Sequence, residues 1–410
     1  MFAIFWKDLL RQKKRFFLTS MAIAWGTISM VLFLSFGEGL KRGMQQGLRG
    51  LGEGIVIMGG RSTSKPFKGL GTGRRIRLTV EDMDLLQQRI PEISRISAEF
   101  QAWNKTFTLK EATATSRVSG VFPDFGEMRT HFPAKGGRFI NESDIKEKRR
   151  VIFLGNELKE NLFGKAEAVG KTITIDRIPF LVVGVLEEKL QTNMYSGPDA
   201  MNGVIPATTF ASLYGVRYVN RLIYKPRKRE DSEFIKDRVR KILGAKYQFD
   251  PEDTRALWVW DTIEQERITY AITLGIQLFL GLIGAITLFI AGGGVANMMY
   301  FVVRQRTREI GVKMALGAKK RNILFPFILE SVIITMMGGG FGIPVCSLLI
   351  KVYTLLPMEE FVLQILGIPT ISWNIAFGTV LILGILGLVA GFFPARKAAS
   401  INPMEALRYE

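Results

Sequence analysis

The stretch ITYAITLGIQLFLGLIGAITLFIAGGGVANMMYFVV, residues Ile268–Val303, holds no acidic or basic side chain. It is longer than the ~20 apolar residues that cross a ~30 Å hydrocarbon core. Three further stretches meet the same criterion: Phe16–Phe36, Ile323–Leu356 and Ile371–Phe393. The order is one span, a long and mostly polar region, then three spans. Both inner ends of that polar region continue a helical pattern. Leu40, Met44, Leu48 and Leu51 form a stripe beyond the first span, and Trp260, Ile263, Tyr270 and Leu274 share a face ahead of the second. Thr262 with Gln265 offers a capping box there. A helix from Ile263 to about Val303 would run ~60 Å, about twice the hydrocarbon thickness. Two helices are therefore expected to leave the membrane as stalks.

Composition bounds the class. With 48% hydrophobic and 22% charged residues, the chain is too apolar for a soluble protein and too charged to lie wholly in lipid. The first span is too long for a signal-peptide core, and no small-residue cleavage site follows it. The single cysteine, Cys346, excludes an intrachain disulfide. The single histidine, His131, lacks the partners of a zinc site or catalytic triad and reads as a structural or incidental residue on a domain surface.

A net charge of +18 suggests nucleic acid, but its distribution argues for a membrane. Lys7, Arg11, Lys13, Lys14 and Arg15 precede the first span. Arg304, Arg306, Arg308, Lys313, Lys319, Lys320 and Arg321 crowd between spans two and three, and Arg396, Lys397 and Arg408 follow span four. The link between spans three and four carries Glu359 and Glu360 and no basic residue. Lys and Arg beside spans mark the cytoplasmic face, which puts both termini inside and the large polar domain outside.

That domain reads as α+β. Gly59–Gly73 is a Gly- and Ser-rich loop. Thr79 caps a helix Val80–Ile90 stopped by Pro91, followed by strands Ile93–Glu99 and Thr106–Lys110. Arg221–Tyr224 is a strand, and Asp231 or Ser232 caps a helix to about Leu243 that ends at Gly244. Between these units lie short strands Val151–Leu154, Thr172–Ile175 and Phe180–Leu186. Two lobes are expected, one split in sequence and one inserted at about residues 120–215. The third span contains Gly338, Gly339, Gly340 and Pro344, which suit close helix packing or a hinge. Glu330 lies inside that span; an ion or proton site is one reading of it, and pairing with the cationic 304–321 segment beside it is the expected one.

One run carries a family resemblance. Arg306-Thr307-Arg308-Glu309-Ile310-Gly311 is followed by Lys313, Ala315, Leu316-Gly317-Ala318, then Glu330-Ser331 and the glycine cluster. This resembles the FtsX-like permease domain of MacB-type ABC transporters. So do the ending Pro394–Ala399 with Asn402–Leu407, the Gly37-Glu38-Gly39 exit of span one, and Val151–Leu186, which is similar to the MacB-type periplasmic core.

The predicted fold is an α-helical membrane protein with four transmembrane helices (1 + 3) and a large α+β extracytoplasmic domain on helical stalks. Its parts are residues 1–39, 40–265 and 266–410. By the resemblance, 304–318 is a coupling segment docked on an ATPase, and that role falls to Arg308, Glu309, Ile310, Gly311, Lys313, Leu316 and Gly317. Gly37, Glu38, Gly39, Asn297, Glu330, Gly338, Gly339, Gly340 and Pro344 are assigned to transmembrane packing or hinging. The basic 304–318 segment also has its own internal logic. Ile310/Met314 and Val312/Leu316 are spacing-four apolar pairs, and Gly317 suits a helix end.

No G-x-x-x-x-G-K-[ST] motif is present; Gly164-Lys165 is followed by Ala166, with Lys159 where the leading glycine belongs. The chain is thus expected to be no enzyme and to bind no cofactor or metal. ATP and Mg would be held by a separate ABC ATPase in two copies, beside a second permease copy or paralogue. A periplasmic adaptor of the membrane-fusion type fits, and nucleic acid does not. The expected setting is the bacterial inner membrane. The expected task is mechanotransmission: relaying ATP-driven movement to the outer domain to export or extract a substrate. Lipoprotein release of the LolC/LolE type, where exposed residues around Phe67 or Met194-Tyr195 would serve a lipid-linked cargo, is the alternative. FtsX-like signalling to cell-wall hydrolases is a third reading. No acid–base or nucleophile constellation supports a membrane-anchored enzyme.

Overall fold

The computed structural model describes residues 13–355 and 367–400. Lys7 and Arg11, the Glu359-Glu360 link and the Asn402–Leu407 motif lie outside them. The chain divides into two compact units at Gly43/Met44 and Thr269/Tyr270.

In the first unit, four helices are long and apolar enough to cross a membrane: α1 (Lys13–Leu51), α8 (Thr262–Gln305), α10 (Lys320–Thr354) and α11 (Trp373–Ala398). The first two contain 39 and 44 residues, or about 58 and 66 Å at 1.5 Å per residue. Both continue across the unit boundaries without a break. Ile23 and Met30 of α1, Val295 and Met299 of α8, Ile334 of α10 and Leu383 of α11 meet in one buried cluster.

Small residues let the helices approach. A Cβ on Gly338 would lie 2.9 Å from the Ser20 carbonyl oxygen and from Ile23 Cβ, and one on Gly342 would lie 2.9 Å from Thr27 Cβ. Between α10 and α11, Ser331 Oγ donates to the Gly387 carbonyl at 2.7 Å. An interhelical bond of this kind satisfies a hydroxyl that lipid cannot. Pro344 sits on an exposed face, and α10 runs past it as continuous helix.

The second unit is built on one nine-stranded mixed sheet: β1 (Val56–Gly60), β2 (Ile93–Leu109), β3 (Ala112–Val121), β4 (Val151–Leu154), β5 (Thr172–Ile175), β6 (Ile178–Val185), β7 (Gly203–Pro206), β8 (Arg221–Pro226) and β9 (Leu257–Asp261). Their order is β3-β7-β4-β6-β5-β2-β8-β1-β9, and β2 also pairs with β3. That extra pairing closes six strands into a barrel-like ring and leaves β2-β8-β1-β9 as an open sheet. β2 belongs to both: Ile93–Glu99 pair with β8, and Glu99–Leu109 pair with β3. Its ladder shifts register between Ala102 and Lys105, where Asn104 has φ +55°. A bulge of this kind bends a strand enough to turn from one sheet into a ring.

The separate strands Ile93–Glu99 and Thr106–Lys110 read from the sequence are therefore one strand. The closed part also takes in residues ahead of 120. Helices α2 (Val80–Arg89) and α7 (Ser232–Tyr247) cover the open sheet through Leu86, Ile235, Val239 and Leu243.

Other expectations change in detail. Gly244 does not end α7. A Cβ there would meet the Phe249 carbonyl at 2.9 Å, so the glycine serves close approach, and the helix ends at Gln248 with φ +56°. The Gly59–Gly73 loop is pinned at its start: Asp253 accepts from Ser64 N at 2.6 Å, Ser64 Oγ at 2.6 Å and Lys65 N at 3.0 Å. Thr262 and Gln265 form no capping box. Asp261 Oδ1 accepts from Ile263 N at 2.9 Å, while Thr262 Oγ1 donates to the Ile55 carbonyl at 2.7 Å and accepts from Ile55 N at 2.9 Å. His131 is not a surface residue. It is 2% exposed, packed against Phe125, Phe139 and Phe153, and burial together with the charge of Lys189 pushes its pKa down to about 3.

Candidate coupling site

The chain between α8 and α10 folds as a short helix, α9 (Thr307–Ala315). It is separated from α8 by Arg306, whose ψ of 11° breaks the helical run. Its far end is a Schellman turn: Ala318 N donates to the Lys313 carbonyl at 3.0 Å and Gly317 N to Met314 at 3.0 Å. Gly317 takes φ +86°, a conformation glycine adopts without a Cβ penalty.

The two apolar pairs of α9 part company. Ile310, 4% exposed, and the half-buried Met314 join the cluster of Val302, Val303, Ile323 and Phe327, and Gly311 is buried with them. Val312 and Leu316 instead lie 42% and 83% exposed, alongside the exposed Arg308, Glu309, Lys313 and Gly317. The helix thus presents an apolar pair ringed by charges of both signs, while its other face is fixed to the membrane unit. Val312 and Leu316 are the apolar part of α9 and its end that no other described residue covers.

Glu330 takes the partner expected of it. Arg306 Nη1 lies 3.5 Å from Glu330 Oε2, and its guanidinium sits 5.9 Å over the Phe327 ring. Their side chains are 19% and 12% exposed. A carboxylate at that depth persists because a cation meets it. The pair ties the root of α9 to α10.

At the exit of span one, Glu38 Oε1 accepts from Arg42 Nε at 3.0 Å and Glu38 Oε2 from Gln277 Nε2 at 3.3 Å. Gly37 faces Gln277, and a Cβ on Gly39 would lie 2.9 Å from the Ile368 carbonyl oxygen. Gly37, Glu38, Gly338 and Gly339 thus sit between helices and Gly39 against the segment ahead of α11, whereas Gly340 has no atom within 4 Å of its Cβ position and Asn297 is exposed.

Among the described residues one trio of carboxylates has metal-like spacing, Glu233, Asp261 and Glu264. Lys236 Nζ already occupies it, at 2.5, 3.1 and 3.4 Å. Burial opposes the charge on Lys236, but its hydrogen bonds to Glu233 and Asp261 outweigh burial and raise its pKa above the usual lysine value. Of the residues named for a lipid-linked cargo, Tyr195 Oη donates to Glu99 Oε2 at 2.6 Å and Phe67 is half-buried, which leaves Met194 exposed.

Residues 16–242 match the model of the MacB-like periplasmic core domain, and residues 281–403 match that of the FtsX-like permease C-terminal domain. The chain is similar to the macrolide export ATP-binding/permease protein MacB of Bdellovibrio bacteriovorus, at 27% identity over 98% of this chain and 61% of that protein. Its similarity to MacB of Chlorobaculum tepidum is 30% identity over 98% of this chain and 60% of that protein. The chain therefore spans about three fifths of the length of these curated relatives. Among solved structures, the periplasmic region of MacB from Actinobacillus actinomycetemcomitans aligns over 55% of this chain and 95% of that one, at 16% identity and a TM-score of 0.43.

Proposed function

The chain belongs to the MacB-like, FtsX-like family of ABC transporter permeases, and on that footing we propose that it works by mechanotransmission. An ABC ATPase docks on the exposed face of α9. Nucleotide-driven movement of that helix passes into α8 and α10, and α8 and α1 carry it into the sheet domain outside the membrane. The observation that carries this reading is the two-faced α9: one side locked into the membrane unit by Ile310 and Arg306, the other offering Val312 and Leu316 to a partner. A loop needing only positive charge would not require two apolar pairs at helical spacing, one turned inward and one outward.

The unbroken length of α1 and α8 supports the relay. A helix resists bending because every backbone amide is tied one turn away. In this reading the termini and α9 are cytoplasmic, the sheet domain is periplasmic, and two permeases assemble with two ATPases that hold ATP and Mg. Export of a substrate already outside the membrane is the first reading; of the residues a lipid-linked cargo would use, Tyr195 is held by Glu99 and Met194 is exposed.

The test is a cross-link. The full chain with Leu316→Cys, labelled with a maleimide–benzophenone reagent and irradiated in its native membrane, should form a covalent adduct with a soluble subunit that hydrolyses ATP. Leu316→Ser should weaken recovery of that subunit by ten-fold or more. Undiminished recovery with both Val312→Ser and Leu316→Ser would refute docking at this face.

A further inference from the structure

Asp199, 2% exposed, lies in the connection between β6 and β7. Three cations converge on it. Arg129 Nη2 donates to both its carboxylate oxygens at 2.9 and 3.0 Å, Lys189 Nζ donates at 2.9 Å, and Arg117 Nη2 lies 3.8 Å away. Burial works to raise the Asp199 pKa, but the charges of Arg129 and Lys189 hold it far below the ordinary carboxylate range.

The other groups of this cluster reach for helix α1. Arg129 Nη1 donates to the carbonyl of Leu51, the last residue of that helix, and Thr130 Oγ1 donates to the Gly50 carbonyl at 3.1 Å. Terminal helix carbonyls have no partner inside the helix, so a buried guanidinium is a strong fastening there. The segment from Leu190 to Thr192 lies along the same turns. Gly47 and Gly50 leave room for Thr192 and for the Leu190 carbonyl where any Cβ would overlap.

Helix α8 is fastened elsewhere. It starts directly from β9, and Thr262 exchanges hydrogen bonds with the backbone of Ile55, one residue ahead of β1. α8 thus holds the open sheet alone, whereas α1 reaches the open sheet through the Gly52–Ile55 link to β1 and the ring through Arg129 and Thr130. Arg229 also bridges Glu53 to Glu266 at 2.6 and 2.8 Å, but Arg229 and Glu53 are exposed and Glu266 only half-buried, so solvent weakens the bridge.

We propose that Arg129, Asp199 and Lys189 form a clamp through which movement of α1 enters the six-stranded ring by way of the β6–β7 connection. Displacement of α1 relative to α8 then shears the ring against the open sheet, with the β2 bulge at Ala102–Lys105 as the bend. The inference rests on the mechanotransmission reading. These are positioning residues, and they touch no substrate in this account.

The experiment has two arms on the full chain. Hydrogen exchange compares the unsubstituted protein with Asp199→Asn. The amides of Glu187, bonded to the Phe132 carbonyl, and of residue 199, bonded to Gln191 Oε1, should exchange at least ten-fold faster in the variant while those of β4 and β6 keep their protection. Unchanged exchange at both amides would overturn the clamp. In the second arm, spin labels at Glu160→Cys and Asn374→Cys, in a Cys346→Ala background, report distance with and without ATP–vanadate in the complex with the ATPase.

The unsubstituted clamp should give a nucleotide-dependent shift, and Asp199→Asn should reduce it by more than half. An Asp199→Asn protein that shifts as fully as the parent refutes the clamp and leaves the relay standing. No shift in the parent refutes the relay, and the clamp with it.

Discussion

Adding one methyl group at Gly338 tests the helix packing on which the relay depends. At Gly338 the new Cβ would meet Ile23 Cβ and the Ser20 carbonyl oxygen, both at 2.9 Å, and these belong to the body of α1. Backbone cannot swing aside, so α1 and α10 must separate by several tenths of an ångström. Overpacking of this kind costs about 1–3 kcal/mol. Alanine's better helix propensity returns about 1 kcal/mol, so Gly338→Ala should lose ~0–2 kcal/mol.

Two residues on, Gly340 has no atom within 4 Å of its Cβ position. Gly340→Ala keeps the propensity gain and meets no clash, so it should be neutral or more stable by up to ~1 kcal/mol. The two variants share chemistry, helix and depth, and differ only in what they face. Unfolding of the purified full chain in mixed micelles, titrated with denaturing detergent, should separate them by about 1–3 kcal/mol. Equal stabilities, or a Gly340→Ala more damaged than Gly338→Ala, would refute the α1–α10 packing.

Further outcomes follow from the same geometry. Ile310→Ala should cost about 2–4 kcal/mol of the membrane unit's stability, because the side chain is buried, whereas Leu316→Ser should stay within ~0.5 kcal/mol; the same unfolding assay distinguishes them. His131, faced by Asp199, Lys189 and Arg129, is neutral when folded. With its pKa lowered to about 3, the unfolded chain binds the extra proton as pH falls from 7 to 5, so about 2 kcal/mol is lost over that window. His131→Phe should flatten that loss in hydrogen exchange of the β4 amides, and an unchanged pH response would refute burial of the neutral ring. Asp253→Ala should release Ser64 and Lys65, read as faster exchange at those two amides with protection of β9 retained.

The spans were legible because apolar length is a one-dimensional signal, and α1 and α8 could be followed past the membrane by their stripes. The outer domain was legible only piecewise. Trp103-Asn104-Lys105 reads as the break between two strands, and only three-dimensional pairing reveals a bulge within one. Gly244 carries the mark of a helix end yet serves a close approach, which sequence spacing cannot distinguish.

In α9 the spacing correctly showed two apolar pairs but not which faced inward, because that depends on where Val302, Ile323 and Phe327 lie. Glu330 was readable as a paired charge from its depth beside a cationic segment, though not its partner. The Asp199 cluster left no local trace: Arg117, Arg129, Lys189 and Asp199 are ordinary charged residues until the ring brings them together.

The most direct test of the account asks which side of the membrane each end of the relay occupies. In intact spheroplasts, a membrane-impermeant maleimide should label Glu160→Cys on the sheet domain at once, and Leu316→Cys on α9 only after lysis. Labelling of both before lysis, or of Leu316→Cys alone, would contradict a path that begins at α9 and ends in the sheet domain.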